Sequence, residues 1–201
     1  EMGIETIKAF DSLQLYEDKV RMQTILSNIY KDMGEDEGTL EFSEKGLQMA
    51  REAQQLSEEK KFNAGIVLSL NMQGIILRDI NKKTGRKDLM DSALILYQRA
   101  IAIIEQTRDG DESLGRLYNN ISQVYYERLK DYPRALDYLF KAVEYNKGKK
   151  HLSSLSFNYN SISSVYLAMN DLVKAKMYAH QMMDVCTKLK APHRLVNAYW
   201  L

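Results

Sequence analysis

The chain repeats itself with a period near forty residues. The segment Tyr118-Asn-Asn-Ile-Ser-Gln-Val-Tyr125 returns as Tyr159-Asn-Ser-Ile-Ser-Ser-Val-Tyr166, 41 positions later. The block from Ala135 to Ala142 returns from Ala175 to Met182, 40 positions on. A period of this size belongs to a stack of one supersecondary unit, each unit burying its apolar face against its neighbours. A closed globular core built from unlike elements does not generate it.

Each unit reads as two antiparallel helices. Leu114, Leu117, Tyr118, Ile121, Val124 and Tyr125 fall at three- and four-residue spacing and form one apolar stripe. Lys130-Asp131-Tyr132-Pro133 interrupts the pattern, since proline suits a first helical turn and Asp131 can cap it. Ala135, Leu136, Leu139, Phe140, Ala142 and Val143 then form a second stripe, and Asn170-Asp171 marks the same break one unit later. With only two prolines and ten glycines, a mostly helical chain with short turns is expected.

These residues resemble the tetratricopeptide repeat: an aromatic, then a large-small pair, then Tyr on the first helix, and Ala, an aromatic and Ala on the second. Tyr118, Ile121-Ser122, Tyr125, Ala135, Leu139 and Ala142 fill those slots in the third unit. Tyr159, Ile162-Ser163, Tyr166, Ala175, Ala179 and Met182 fill them in the fourth. The second unit offers Leu70, Gln73-Gly74, Leu77, Ala93, Tyr97 and Ala100, and the first Gln23, Leu26-Ser27, Tyr30, Thr39, Ser43 and Gly46. The resemblance implies an all-α, right-handed superhelical solenoid of antiparallel helix pairs. Its units are placed at 18–58, 59–108, 111–148 and 151–189, with a leading helix over 1–17 and a further unit starting at 192–201. Tyr199, 40 residues after Tyr159, marks that start, so the chain reads as a piece of a longer protein. The closing proline of the family is missing throughout, and the long period implies second helices extended by a turn or two. The insert Asn81 to Lys87 is expected as an extended loop.

The resemblance also implies where a ligand would lie. First helices line the concave surface, and positions two, five, nine, twelve and thirteen of each unit face it. Position five reads Thr24, Asn71, Asn119, Asn160, three amides in register that suit an extended peptide backbone. Asn28 and Gln123 stand at position nine, Lys31, Arg78 and Tyr126 at position twelve, and Arg116 at position two. The same asparagines can instead bond to the next helix and join adjacent units. Lys31 with Arg78 imitates only loosely the paired cations that would clamp a terminal carboxylate.

Other chemistry is thin. Lys plus Arg, 28, balances Asp plus Glu, 27, so no general field draws in nucleic acid or anionic lipid. The basic groups at Lys82-Lys83 with Arg86-Lys87, at Lys147 with Lys149-Lys150, and at Lys188 with Lys190 lack aromatic interleaving and suit helix ends. His151, His180 and His193 are too scattered for zinc, and Cys186 reads as a small buried apolar residue. Asp109 to Glu112 and Glu35 to Glu37 lack calcium-loop spacing and are expected to cap the helices that follow. No cofactor or catalytic constellation is expected, and no apolar run reaches the roughly 20 residues of a membrane span. A lone cysteine fits either the cytoplasm or a bacterial periplasm.

The expected role is therefore a protein-interaction module that binds a peptide or protein segment on its concave face. Long-period units of this style resemble those of bacterial sensors and transcription regulators. The alternative is a self-association scaffold or spacer, motivated by Ile4, Ile7 and Phe10 near one end and Trp200 near the other.

Overall fold

The computed structural model describes residues 4–7, 15–109 and 111–189, and every regular element among them is helical. After the short helical stretch at 4–7 come α1 (Tyr16–Glu37), α2 (Leu40–Glu59), α3 (Asn63–Thr84), α4 (Lys87–Thr107), α5 (Leu114–Val124), α6 (Tyr132–Gly148), α7 (Leu152–Ala168) and α8 (Leu172–Lys188). Consecutive helices pack as the hairpins α1/α2, α3/α4, α5/α6 and α7/α8. The chain forms two compact units, Glu1–Ser113 and Leu114–Leu201. The expected start of a further hairpin at 192–201, with His193, Tyr199 and Trp200, lies outside the described residues, as does Phe10.

In the first unit, small residues set how closely the helices approach. A Cβ on Gly46 of α2 would stand 2.8 Å from the Ser27 carbonyl oxygen of α1. One on Gly74 of α3 would stand 2.4 Å from the Tyr97 ring of α4, which is fully buried. The small slots of the repeat thus exist because a neighbouring backbone or ring occupies the space a side chain would need. Two sequence expectations fail here. Asn81 to Lys87 is not an extended loop: α3 runs on through Thr84, Gly85 turns the chain at φ 70, and its N–H donates to the Asn81 carbonyl at 2.7 Å. The extra residues lengthen helices on both sides of the turn, at 22 residues for α3 and 21 for α4, against 17 for both α6 and α8. Glu35, Asp36 and Glu37 do not cap α2 either. They form the last turn of α1, and Gly38, at φ 68, separates them from the next helix.

In the second unit, the caps lie where the sequence puts them. The Asp131 carboxylate accepts from the Arg134 backbone N–H at 3.0 Å, and Asp171 accepts from that of Lys174 at 3.1 Å. Between Tyr125 and Asp131 the third hairpin carries five residues, where the fourth carries four between Tyr166 and Asp171. The extra residue is absorbed as a π-helical turn over Tyr125–Leu129, the usual fate of a single insertion in a helix. Both hairpins then close alike, with Asp131 N–H donating to Tyr125 O at 3.0 Å and Asp171 N–H to Tyr166 O at 2.9 Å.

The tyrosines of the repeat stack across each of these hairpins. Tyr125 lies 5.5 Å from Tyr138, and Tyr166 lies 5.6 Å from Tyr178, in nearly parallel planes. Burial beside other phenols pushes Tyr138 and Tyr178 above the ordinary tyrosine pKa. The small slot works once more in the fourth hairpin, where the Ser163 hydroxyl donates to the Ala175 carbonyl at 2.7 Å.

Candidate functional site

First helices carry every candidate residue, and the structure gives those residues unequal freedom. On α1, the Asn28 amide donates to the Asp32 carboxylate at 3.0 Å. Lys31 is held by Asp32 at 2.6 Å and Glu35 at 3.4 Å. Burial alone would lower its pKa, but the two carboxylates outweigh that and hold it above the ordinary lysine value. Lys31 is thus an ion-pair member of its own helix. On α3, Asn71 is buried and Arg78 half-buried. On α5, Arg116 is exposed, while Tyr126 sits half-buried in the π turn, tilted against Tyr132 at 6.0 Å with Lys130 5.5 Å over its ring.

Asn119 belongs to a chain of amides between hairpins. Asn146 of α6 donates to Asn158 of α7 at 2.7 Å, and Asn158 donates to the Asn119 side-chain carbonyl of α5 at 3.2 Å. The Ser161 hydroxyl gives a second bond to that oxygen at 3.3 Å, and Gln123 donates to Ser161 at 3.2 Å. Asn146 and Asn158 are 2% and 1% exposed, so their amides need the partners that this seam supplies. Gly115 makes room for it, since a Cβ there would stand 2.6 Å from the Asn146 side-chain oxygen. Of the two roles open to the asparagines in sequence, Asn119 visibly performs the joining one. Asn160, one unit on, is half-buried, with its carbonyl accepting from Ser164 at 3.1 Å.

Sequence reasoning passed over Asn146 and Asn158, although a signal was present. Asn146 stands in the slot held by Ile104 and Cys186 in the neighbouring units, and Asn158 in the slot held by Leu117. Two polar residues replacing apolar ones together, in elements adjacent in chain order, mark a pair. A second polar knot, also passed over, lies in the first unit. Buried Asp79 of α3 accepts from Ser43 of α2 at 3.0 Å and pairs with Lys83 at 2.9 Å. Lys83 and Arg86, two of the four cations of this basic edge, are therefore engaged, the latter with Asp88 at 2.8 Å.

Apolar side chains complete the face of α7. Phe157, at position two, is 57% exposed, and Leu167, at position twelve, is 42% exposed. Between them on the same helix lie Asn160 and Ser164. A separate groove of about 440 Å³ between α2, α3 and α4 has an apolar floor of Leu47, Leu77, Ile80 and Leu89. Among the described residues no group of three or more metal-ligating side chains converges, and no helix is long and apolar enough to cross a membrane.

A family model, the tetratricopeptide repeat, matches residues 85–147. No curated protein sequence matches the chain. Several solved structures share its fold. BtubC (BKLC) from P. vanneervenii is 15% identical, with 98% of this chain and 79% of that one covered and a TM-score of 0.66. A signal transduction ATPase with numerous domains, carrying a tetratricopeptide repeat sensor, from Pyrococcus horikoshii is also 15% identical. It matches at a TM-score of 0.62 over 98% of this chain, which spans 30% of that protein. Nearly identical TPR-like repeats from Podosopora anserina match at 14% identity and a TM-score of 0.63, covering 90% of this chain and 85% of theirs. The tetratricopeptide repeat model thus covers the middle of the chain, and the chain as a whole shares the helix-pair fold of the tetratricopeptide repeat structures it matches. Such repeats generally mediate protein–protein interaction.

Proposed function

We propose that this chain binds an extended peptide or protein segment along its first helices and serves as the sensory part of a larger regulator. The observation that carries the binding reading is the face of α7. A repeat protein buries large apolar residues between hairpins, yet Phe157 and Leu167 are exposed at positions two and twelve, two of the positions that the tetratricopeptide resemblance turns toward a ligand. They are ten residues apart, about 15 Å along a helix, which an extended peptide covers in roughly five residues. The polar side chains between them can meet its main chain, so apolar anchors at both ends would flank a hydrogen-bonded middle. The regulatory part of the reading draws support from the likeness in fold to part of the Pyrococcus horikoshii signal transduction ATPase, which carries a tetratricopeptide repeat sensor.

The test is a displayed peptide library panned against the chain, with retained peptides measured by fluorescence anisotropy on the wild type and on Phe157→Ser with Leu167→Ser. Both side chains are exposed, so the double variant should keep its helical content while binding weakens about tenfold or more. Peptides that bind the variant as tightly as the wild type, or a library that yields none, would refute the proposal.

A further inference from the structure

The second hairpin departs from its neighbours at two places, and both border the groove between α2, α3 and α4. The first-helix slot that holds Tyr30, Tyr125 and Tyr166 in the other hairpins holds Leu77 here, and the second-helix slot of Tyr138 and Tyr178 holds Leu96. Tyr125 and Tyr166 stack on those two rings, so the third and fourth hairpins are filled by a pair of phenols that the second lacks. In addition, α4 begins six residues before its anchor Ala93, whereas α6 begins three before Ala135. Leu89 lies in that added turn. The groove of about 440 Å³ has a floor drawn from three helices, Leu47 of α2, Leu77 and Ile80 of α3, and Leu89 of α4. Leu47, Leu77 and Ile80 are each 8% exposed, so the floor is packed side chain, and the volume falls in the range of small-molecule sites.

The rim is polar, and its charges are unevenly matched. Arg51 of α2 is exposed and has no ion-pair partner among the described residues. Arg86, the other cation on the rim, is bound to Asp88 at 2.8 Å, and Gln48 donates to Glu52 at 3.0 Å. Glu44 stands two turns before Arg51 on α2, about 10 Å away along the axis. An unmatched guanidinium beside an apolar floor suits a carboxylate joined to an apolar body. The planar fork meets both carboxylate oxygens while the body leaves water. We propose that this groove binds a small aliphatic monocarboxylate, its carboxylate on Arg51 and its chain along the floor of Leu47, Leu77, Ile80 and Leu89. Glu44 opposes a second anionic group at the other end of the α2 wall, so a dicarboxylate of equal length is rejected. The groove belongs to the first compact unit and Phe157 and Leu167 to the second, so this proposal does not rest on the peptide reading.

The probe is decanoate, with decanol as its uncharged analogue and sebacate as the dicarboxylate. Binding to the whole chain is measured by calorimetry and by methyl shifts of the four floor residues. Decanoate should bind and move these methyls, and decanol and sebacate should bind about tenfold more weakly. Arg51→Gln should bring decanoate down about tenfold, to the level of decanol, and leave decanol unchanged. Leu77→Tyr installs the ring that the other hairpins carry, and should fill the groove and abolish decanoate binding while keeping the helical content. Should that variant fail to fold, Arg51→Gln, at an exposed position, decides with the three ligands. No binding of decanoate, equal binding of decanol or sebacate, or decanoate shifts confined to other helices would overturn the proposal. Peptides from the displayed library that move the floor methyls when decanoate does not would overturn it too, since they would give the groove to a protein partner.

Discussion

Asn119 can be understood only with the two residues behind it. Removing its side chain with alanine would take away both the proposed ligand contact and the acceptor for Asn158, so a loss of binding would not say which mattered. The seam itself can be tested by substitution toward its neighbours in the repeat. Asn158→Leu orphans the buried Asn146 amide and should cost about 1–3 kcal/mol in urea unfolding. Adding Asn146→Ile removes the orphaned amide and leaves two apolar side chains in its place, and should recover the stability to within about 1 kcal/mol. Strictly additive losses would mean that the two asparagines do not depend on each other. Asn119 was legible in sequence as a register residue. That its carbonyl is spent was not, because the partner supplying the bond is buried on another helix and follows no repeat pattern.

Among the elements, the end of α5 shows how local spacing records local geometry. The first-helix blocks repeat at 41 and the second-helix blocks at 40. That single-residue difference is the π turn over Tyr125–Leu129. Deleting exposed Leu129 should convert it to a regular helical end like that of α7, leaving far-UV circular dichroism unchanged and the melting temperature within a few degrees. Loss of the third hairpin would show that the turn is required by its packing. The insert before α4 was misread for an instructive reason. Asn81 to Lys87 is polar and holds a glycine, which reads as a loop, but Lys82 and Lys83 are good helix formers at the C-terminal end of a helix, where cations are favoured. Only Gly85 and Arg86 were needed for the turn. Likewise Glu35 to Glu37 read as a cap by charge, whereas Gly38 is the residue that ends the helix.

Across the whole molecule, burial follows the logic of stacking. Position ten of the first helix is Ile29 in α1, Ile76 in α3 and Val165 in α7. Ile76 and Val165, each preceded by the second helix of another hairpin, are 0% and 2% exposed, while Ile29 is 46% exposed. The same residue type at the same position is covered or open according to its neighbour, as expected of hairpins that shield one another. Periodicity made this arrangement legible from the sequence, since it requires only that equivalent positions recur. The proposed ligand face has no such recurrence to reveal it. Its apolar ends, Phe157 and Leu167, occur in one unit alone, and their exposure depends on what packs beside them. The central claim is that ligand lies on the first helices, and nuclear magnetic resonance titration of the chain with a library-selected peptide tests it most directly. The account predicts that shift changes concentrate on the side-chain amides of Asn119, Gln123 and Asn160 and on the Leu167 methyls. Changes confined to α4, α6 and α8, or to the groove between α2 and α3, would contradict it.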